Sequence, residues 1–393
     1  MSLLTRSYLQ PFRNKNLAII YCSIFLGVFA HNFLMLYIAL DTVKLGWMGM
    51  TAYLYGWFIT SGFILFPFYY FLFTRHKRKW FMCGVIGSQI VGLLLFLLTD
   101  ISKTPWGVGI TLAFCITGYF QMCHANLSGH NSKSEVGFEV SLAKAITNIG
   151  ELLGASLAGL IVLSGDKPVL LIIAFSGIVF STIGLSVTLP QGRHSGEEEN
   201  IDRPSIHVAP LLKTFCKDLP MTIGTFMEAF WSLFGSMLIP AYLILAGIGT
   251  TMIGFIFGVQ GIVVAMAIPI AGKLIHDGKG KEFQLAALLG SSSFILLLLP
   301  LNAVILLGSN ILRAMSKFFY HGGLESRWYG DKSFTQIFVR ELNLTLARLI
   351  AIPLACWLCF QHQFLFLAAG FIVALLLWPV GKWAILSRKT LDT

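Results

Sequence analysis

The sequence predicts an all-α membrane protein with 12 transmembrane helices in two six-helix, pseudo-symmetric bundles, and three observations lead there. Of its 393 residues 56% are hydrophobic and only 12% are charged, against about 25% charged in ordinary soluble domains. Apolar stretches of about 20 residues, the length that crosses a bilayer as a helix, recur along the whole chain. The chain also matches itself at a shift of 197 residues, which divides these stretches into six plus six.

Helix 1, near 16–40, follows the basic residues Arg6, Arg13 and Lys15. Helix 2, near 48–73, ends at a basic turn of Arg75, Lys77, Arg78 and Lys79. Helices 3 to 6 occupy 80–99, 106–125, 138–164 and 168–189, and the last runs into a polar segment, 190–216, that contains Glu197, Glu198 and Glu199. Helices 7 and 8, near 218–246 and 249–275, lead to Lys279 and Lys281. Helices 9 and 10, near 282–300 and 302–321, lead to a polar turn from Glu325 to Ser333 that includes Arg327 and Lys332. Helices 11 and 12, near 334–360 and 362–386, end before Arg388 and Lys389. The expected organisation is a bundle over 1–189, a linker over 190–216 and a second bundle over 217–393.

Lys and Arg fall on alternate connections, so the positive-inside rule places both termini and the linker in the cytoplasm, with the chain in a plasma (inner) membrane. The net charge of +10 follows from that topology and calls for no nucleic-acid partner; the lipid bilayer is the partner, and anionic headgroups are attracted to the same clusters. The first fifteen residues lack an apolar core followed by a small-residue cleavage site, so helix 1 is expected to serve as a retained targeting signal. The seven cysteines are an odd number, mostly within spans. Cys356 and Cys359 form a CxxC pair, read chiefly as packing, with redox or metal chemistry as the alternative.

The 197-residue shift places His31 on Glu228, His124 on His321, Lys144 on Glu341 and Glu151 on Arg348. Duplicated halves with a site at their interface are a recurring plan of secondary transporters. The second half also carries Gly272-Lys-Leu-Ile-His-Asp277-Gly-Lys-Gly280-Lys281, and the first half Tyr70-Phe-Leu-Phe-Thr74-Arg75-His-Lys-Arg78-Lys79. Twelve spans, the repeat and this basic turn resemble the major facilitator superfamily over essentially the whole chain, with no subfamily identified. The segment after helix 8 looks like the family's G-x-L-x-D-R-x-G-R-R signature with its Asp displaced by one residue. The first-half copy keeps the basic residues, lacks the Gly and has Thr74 at the acidic position. The resemblance implies that Asp277, Arg75 and Arg78 belong to a cytoplasmic gate.

Ionisable residues deep in apolar spans cost several kcal/mol and therefore face polar cavities or one another. Such residues here are His31, Glu151, Glu228, Arg313, Lys317 and Arg348. Lys144, Asn148 and Glu151 share one face of helix 5, and Glu341, Thr345 and Arg348 share one face of helix 11. Helix 10 adds Arg313, Lys317 and His321. In the family that this chain resembles, helices 1, 4, 7 and 10 line the path with 2, 5, 8 and 11 beside them, and the intramembrane charges fall only on that set. Glu151 and Arg348 are the symmetry-related pair expected to latch or couple the halves. Lys144, Arg340, Glu341 and Lys317 lie closer to the cytoplasmic face as snorkelling or inner-gate residues.

The functional expectation is secondary active transport by alternating access: proton-coupled uptake of a small or medium organic anion. Arg313 and Arg348 are the candidate anion ligands, because a guanidinium keeps its charge and presents a planar fork; Asn32, Gln260 and Trp231 complete the substrate-binding set. Glu151, Glu228 and His31 are the candidate proton carriers. Arg75, Arg78, Asp277, Lys144 and Glu341 are the gating set. Helix 5 reads Gly150-Glu-Leu-Leu-Gly154-Ala155, without the Pro of drug-exporting relatives, which favours a symporter or uniporter. The alternatives are proton-antiport efflux of an amphipathic compound (a drug, siderophore or lipid-like molecule) and a transport-inactive sensor. No P-loop, dinucleotide turn or strong metal spacing occurs, so no enzyme activity, cofactor or metal is expected. The substrate and protons are the expected partners of a monomer.

Overall fold

The computed structural model describes residues 14–73, 78–98, 104–130, 136–164, 167–188, 219–277, 280–330 and 334–389, and every regular element among them is helical. The first six helices are α1 (Lys15–Val43), α2 (Gly46–Phe73), α3 (Arg78–Leu98), α4 (Pro105–His130), α5 (Val136–Ser164) and α6 (Lys167–Thr188). The second six are α7 (Leu219–Leu245), α8 (Thr250–Asp277), α9 (Lys281–Leu297), α10 (Ala303–Gly330), α11 (Phe334–Gln361) and α12 (Gln363–Lys389). Six of the described helices are long and apolar enough to cross a membrane by length and composition, in α1, α2, α4, α7, α11 and α12. The expected linker, 190–216, lies outside the described residues.

Within the first six, α2 packs on α4, and α1 on α5 and α6; within the second six, α9 packs on α10 and α12, and α8 on α10. Two long seams join the sets, α5 against α8 and α2 against α11. A shift of 197 residues turns α2 into α8 and α5 into α11, so each seam is the image of the other, as a pseudo-two-fold axis between two bundles requires. Polar side chains inside the bundles give their protons to backbone carbonyls of neighbouring helices. Ser181 Oγ donates to Ser23 O at 2.6 Å, Ser316 Oγ to Ala286 O at 2.6 Å and Tyr320 OH to Gly224 O at 3.0 Å. With no water at hand, each such bond removes the cost of a buried hydroxyl.

Two departures from the sequence reading matter for the site. Helix α10 does not stop at 321 but continues to Gly330, so Glu325 is a buried helical residue and not part of a polar turn. Helix α7 is interrupted: an α-helix over Leu219–Ser232, a π-helical turn over Leu233–Met237 and an α-helix over Ile239–Leu245. The N–H of Leu238 reaches the carbonyl of Leu233 at 3.1 Å, the wider π spacing. Pro240 just beyond has no N–H for the ladder, and π turns of this kind gather at functional sites.

Cys356 and Cys359 are fully buried, and the six described cysteines are unbridged. The Cys359 thiol contacts the carbonyl of Leu238 at 3.7 Å, which is a packing role.

Glycines set the interhelical distance where α1 crosses α5. A Cβ on Gly154 would sit 2.2 Å from the carbonyl oxygen of Phe29, and one on Gly150 would sit 2.9 Å from that of Phe25. Gly154→Val is therefore expected to push α1 off α5 at a cost of about 1–3 kcal/mol, read as a lower apparent melting temperature of the purified protein. Gly87→Ala, where a Cβ meets nothing within 4 Å, serves as the control that leaves the melting temperature in place.

Candidate functional site

Two adjoining cavities lie between the bundles. The first, about 200 Å³, is walled by His31 and Asn32 of α1, Trp57 of α2, Glu151 of α5, Ser236 and Met237 of α7, Phe257 and Gln260 of α8, and Asn310, Arg313 and Lys317 of α10. The second, about 240 Å³, shares His31, Trp57, Ser236, Met237 and Lys317 with it and continues to His124, Lys144, Glu228, His321, Glu325, Arg340, Glu341, Thr345 and Arg348. The four-residue spacing of Arg313, Lys317, His321 and Glu325 lays all four along one face of α10, which links the two cavities.

Arg340 is the electrostatic centre of the second cavity. Its Nη2 donates to Glu228 Oε1 at 2.6 Å and to Glu325 Oε1 at 3.0 Å, and its Nη1 donates to Glu341 Oε1 at 2.7 Å. Around this hub, His321 Nδ1 lies 3.1 Å from Glu228, Lys144 Nζ lies 2.8 Å from Glu325, and His124 Nε2 lies 3.4 Å from Glu341. Arg340, Glu228 and Glu325 are each no more than 4% exposed, so of the two roles expected of Arg340, snorkelling or pairing, it adopts pairing. Charges at that depth persist only when geometry and hydrogen bonds return their desolvation cost. Glu228, His321 and Glu325 also bring ligand atoms within 4.8 Å of one another, a spacing that suits a metal ion. The Arg340 guanidinium, bonded to both carboxylates, already fills the cationic position.

Arg313 of the first cavity and Arg348 of the second are compensated differently. Arg313, 3% exposed, donates through Nη2 to Asn310 Oδ1 and through Nη1 to Ser309 Oγ at 3.4 Å, while Asn310 donates in turn to Gln260 Oε1. Arg348 donates through Nε to Ser232 Oγ at 3.3 Å and lies 5.0 Å above the Phe58 ring. Among the described residues no carboxylate stands at ion-pair distance from either guanidinium.

The expected Glu151–Arg348 pair does not form; Glu151 meets Lys317 of α10 at 3.6 Å. Symmetry-equivalent residues sit on opposite sides of the pseudo-two-fold axis, where α5 packs on α8 and α10 while α11 packs on α2 and α7. His31 packs edge-on to Phe120 and Trp57 with its Nδ1 unpartnered, and Asn32 bonds back to Val28 O at 3.0 Å. Trp231 lines neither of these two cavities. It is 1% exposed and packs its ring on Phe294, because the small Gly290 opens a core slot for the indole.

Of the gating set, Lys144 and Glu341 join the Arg340 network but not each other. Arg75 lies outside the described residues, as do the side chains of Arg78 and Asp277. The sequence reading missed Glu325 and Asn310 and set Arg340 apart from the centre. The signal for Glu325 was present in the spacing from Arg313, one helical step past His321.

The family model for the Major Facilitator Superfamily matches residues 17–319. Two solved structures share the fold along nearly the full length. The human organic anion transporter MFSD10 (TETRAN) is 13% identical, with 98% of this chain and 99% of that one covered and a TM-score of 0.62. The E. coli fucose:proton symporter FucP is 14% identical, with 96% and 98% covered and a TM-score of 0.63. No curated protein matches by sequence.

Removing Arg340 strands buried carboxylates. Arg340→Ala is expected to destabilise the protein by about 3–5 kcal/mol, measured by chemical unfolding in mixed micelles. Adding Glu228→Gln to that variant is expected to recover part of the loss.

Proposed function

Because this chain belongs to the major facilitator superfamily, whose members are membrane transporters, we propose that it carries a small or medium organic anion inward by alternating access, coupled to protons. The observation that supports an anion is the unequal compensation of charge. Five cations line the two cavities, Lys144, Arg313, Lys317, Arg340 and Arg348, against four carboxylates, Glu151, Glu228, Glu325 and Glu341. All four carboxylates have a cationic partner, whereas Arg313 and Arg348 rest on amide and hydroxyl oxygens and an aromatic ring. An anion that reaches either guanidinium gains a charge-assisted, fork-shaped contact and displaces no carboxylate from it.

In this reading Arg313 and Arg348 hold the anionic group, and Asn32 and Gln260 orient it. Glu151, Glu228 and His31 are the proton-carrying candidates. The pairs Lys144–Glu325 and His124–Glu341 tie the bundles together across the seam and act as the inner gate. Residues 1–189 and 217–393 are the two rocking bodies, joined by 190–216, in a plasma membrane with both termini cytoplasmic. The names of the two similar structures, an organic anion transporter and a sugar:proton symporter, accord with such a cargo and coupling but describe those proteins.

A thermal-shift screen of carboxylates, phosphates, amino acids, siderophores and cationic drugs tests the reading, since a ligand of the folded state raises the apparent melting temperature by mass action. An anion is expected to stabilise the wild type, and Arg313→Ala is expected to weaken its binding about 10- to 100-fold, the value of a charge-assisted hydrogen bond. Proteoliposomes that hold the wild type should take up that anion down an inward proton gradient. Equal stabilisation of both forms by cationic amphipaths alone would favour efflux instead.

A further inference from the structure

We infer that an incoming carboxylate binds by taking Lys317 away from Glu151, and that Glu151, once released, accepts the proton that travels with it. This rests on the anion-transport reading and names the pair that couples the two cargoes.

The bond between Glu151 and Lys317 differs from the rest of the network in three respects. At 3.6 Å it is longer than the Lys144–Glu325 bridge, which spans 2.8 Å across the same two helices. Both its side chains are 29% exposed to the cavity, whereas the Arg340–Glu228 partners are 4% and 2% exposed. It also lies within reach of a cation held by no carboxylate among the described residues, since Lys317 follows Arg313 by one helical turn and both line the first cavity. Side chains four apart on a helix are neighbours, so a carboxylate seated on Arg313 lies beside the Lys317 ammonium. The rest of the lining includes the apolar Leu152, Met237, Ile239 and Phe257, which suits a monocarboxylate with a compact apolar body.

Charge balance then supplies the proton. The titratable and charged groups that face Glu151 on this wall are Lys317 and Arg313 from α10 and His31 from α1; α8 offers the uncharged Gln260. In the empty cavity Arg313, Lys317 and the Glu151 carboxylate leave one net positive charge with His31 neutral. An arriving carboxylate that bridges Arg313 and Lys317 leaves Glu151 without its cation and beside a second anion, and both changes favour the protonated acid. Glu151 takes one proton from water at its freed oxygen, and the loaded cavity returns to the same net charge as the empty one. One of the ties between α5 and α10 opens at the same moment, so loading loosens the seam.

Benzoate is the probe, and the readout is proton uptake on binding, from calorimetry in two buffers of different ionisation heat. The wild type is expected to take up about one proton per benzoate bound, the linkage of a single site. Glu151→Gln is expected to bind benzoate more tightly, with affinity independent of pH and no uptake. Lys317→Gln, which deprives Glu151 of its cation beforehand, is expected to bind more weakly and to show reduced uptake. A bridge with only a structural role would move both affinities the same way. Wild-type uptake in Glu151→Gln would overturn the inference and leave the anion reading standing. If neither benzoate, butyrate nor inorganic phosphate binds the wild type, the anion reading falls and this inference falls with it.

Discussion

A guanidinium buried between helices must be matched at close range, because the medium around it offers no water to take that role. Arg340 meets this demand with three carboxylates drawn from α7, α10 and its own helix α11. Glu325 and Glu341 then recruit Lys144 and His124 from the other bundle. One buried charge thereby fixes the rotation of α10 and α11 about their axes and decides which side chains of those helices face the cavities. The extension of α10 past 321 carries Glu325 to within 3.0 Å of Arg340.

The buried guanidiniums differ in how they are satisfied, Arg340 by carboxylates and Arg313 and Arg348 by dipoles and an aromatic ring. Ionic partners such as Glu228 and Glu325 cannot leave Arg340 without exposing a bare charge to a low dielectric. The partners of Arg313 are dipoles, the Asn310 amide and the Ser309 hydroxyl, and a dipole that loses a guanidinium forfeits far less. In the transport cycle proposed above, an anion replaces them at modest cost. The Phe58 ring beneath Arg348 serves in the same way, since a cation–π contact persists while the exposed edge of the guanidinium binds elsewhere.

Between the cavities stands a wall of His31, Trp57, Ser236, Met237 and Lys317. Its α7 portion lies in the π turn, where the wider hydrogen-bond spacing shifts the side chains that follow. Ser236 gives its hydroxyl proton back to Ser232 O at 2.8 Å, so the turn satisfies its polar atoms without water. Close α1–α5 packing at Gly150 and Gly154 holds the His31 side of the wall against the Glu151 helix.

Much of this protein is legible from its residues alone, because the bilayer imposes local rules. Spans must be apolar and about 20 residues long, and ionisable residues within them must share a face. Those rules disclose the twelve helices, the duplication and the stripes on α5, α10 and α11. They single out Arg313, Arg348, Asn32, Gln260 and Trp231 as one candidate set and Glu151, Glu228 and His31 as another, whereas the fold puts Glu151 and His31 beside Arg313, and Glu228 beside Arg348. Pairing is another matter. Which charge meets which depends on helix rotation and on the position of the symmetry axis, neither of which is written in periodicity. Equivalent residues in a repeat share depth but stand across the axis from each other, so Glu151 meets Lys317 and Arg348 is left to Ser232 and Phe58. Trp231 had the right depth for the cavity, yet the space opened by Gly290 drew it into the core. Sequence determined what each helix had to hide from lipid; only the packing of the two bundles decided which hidden charges were partnered and which remained open to a ligand.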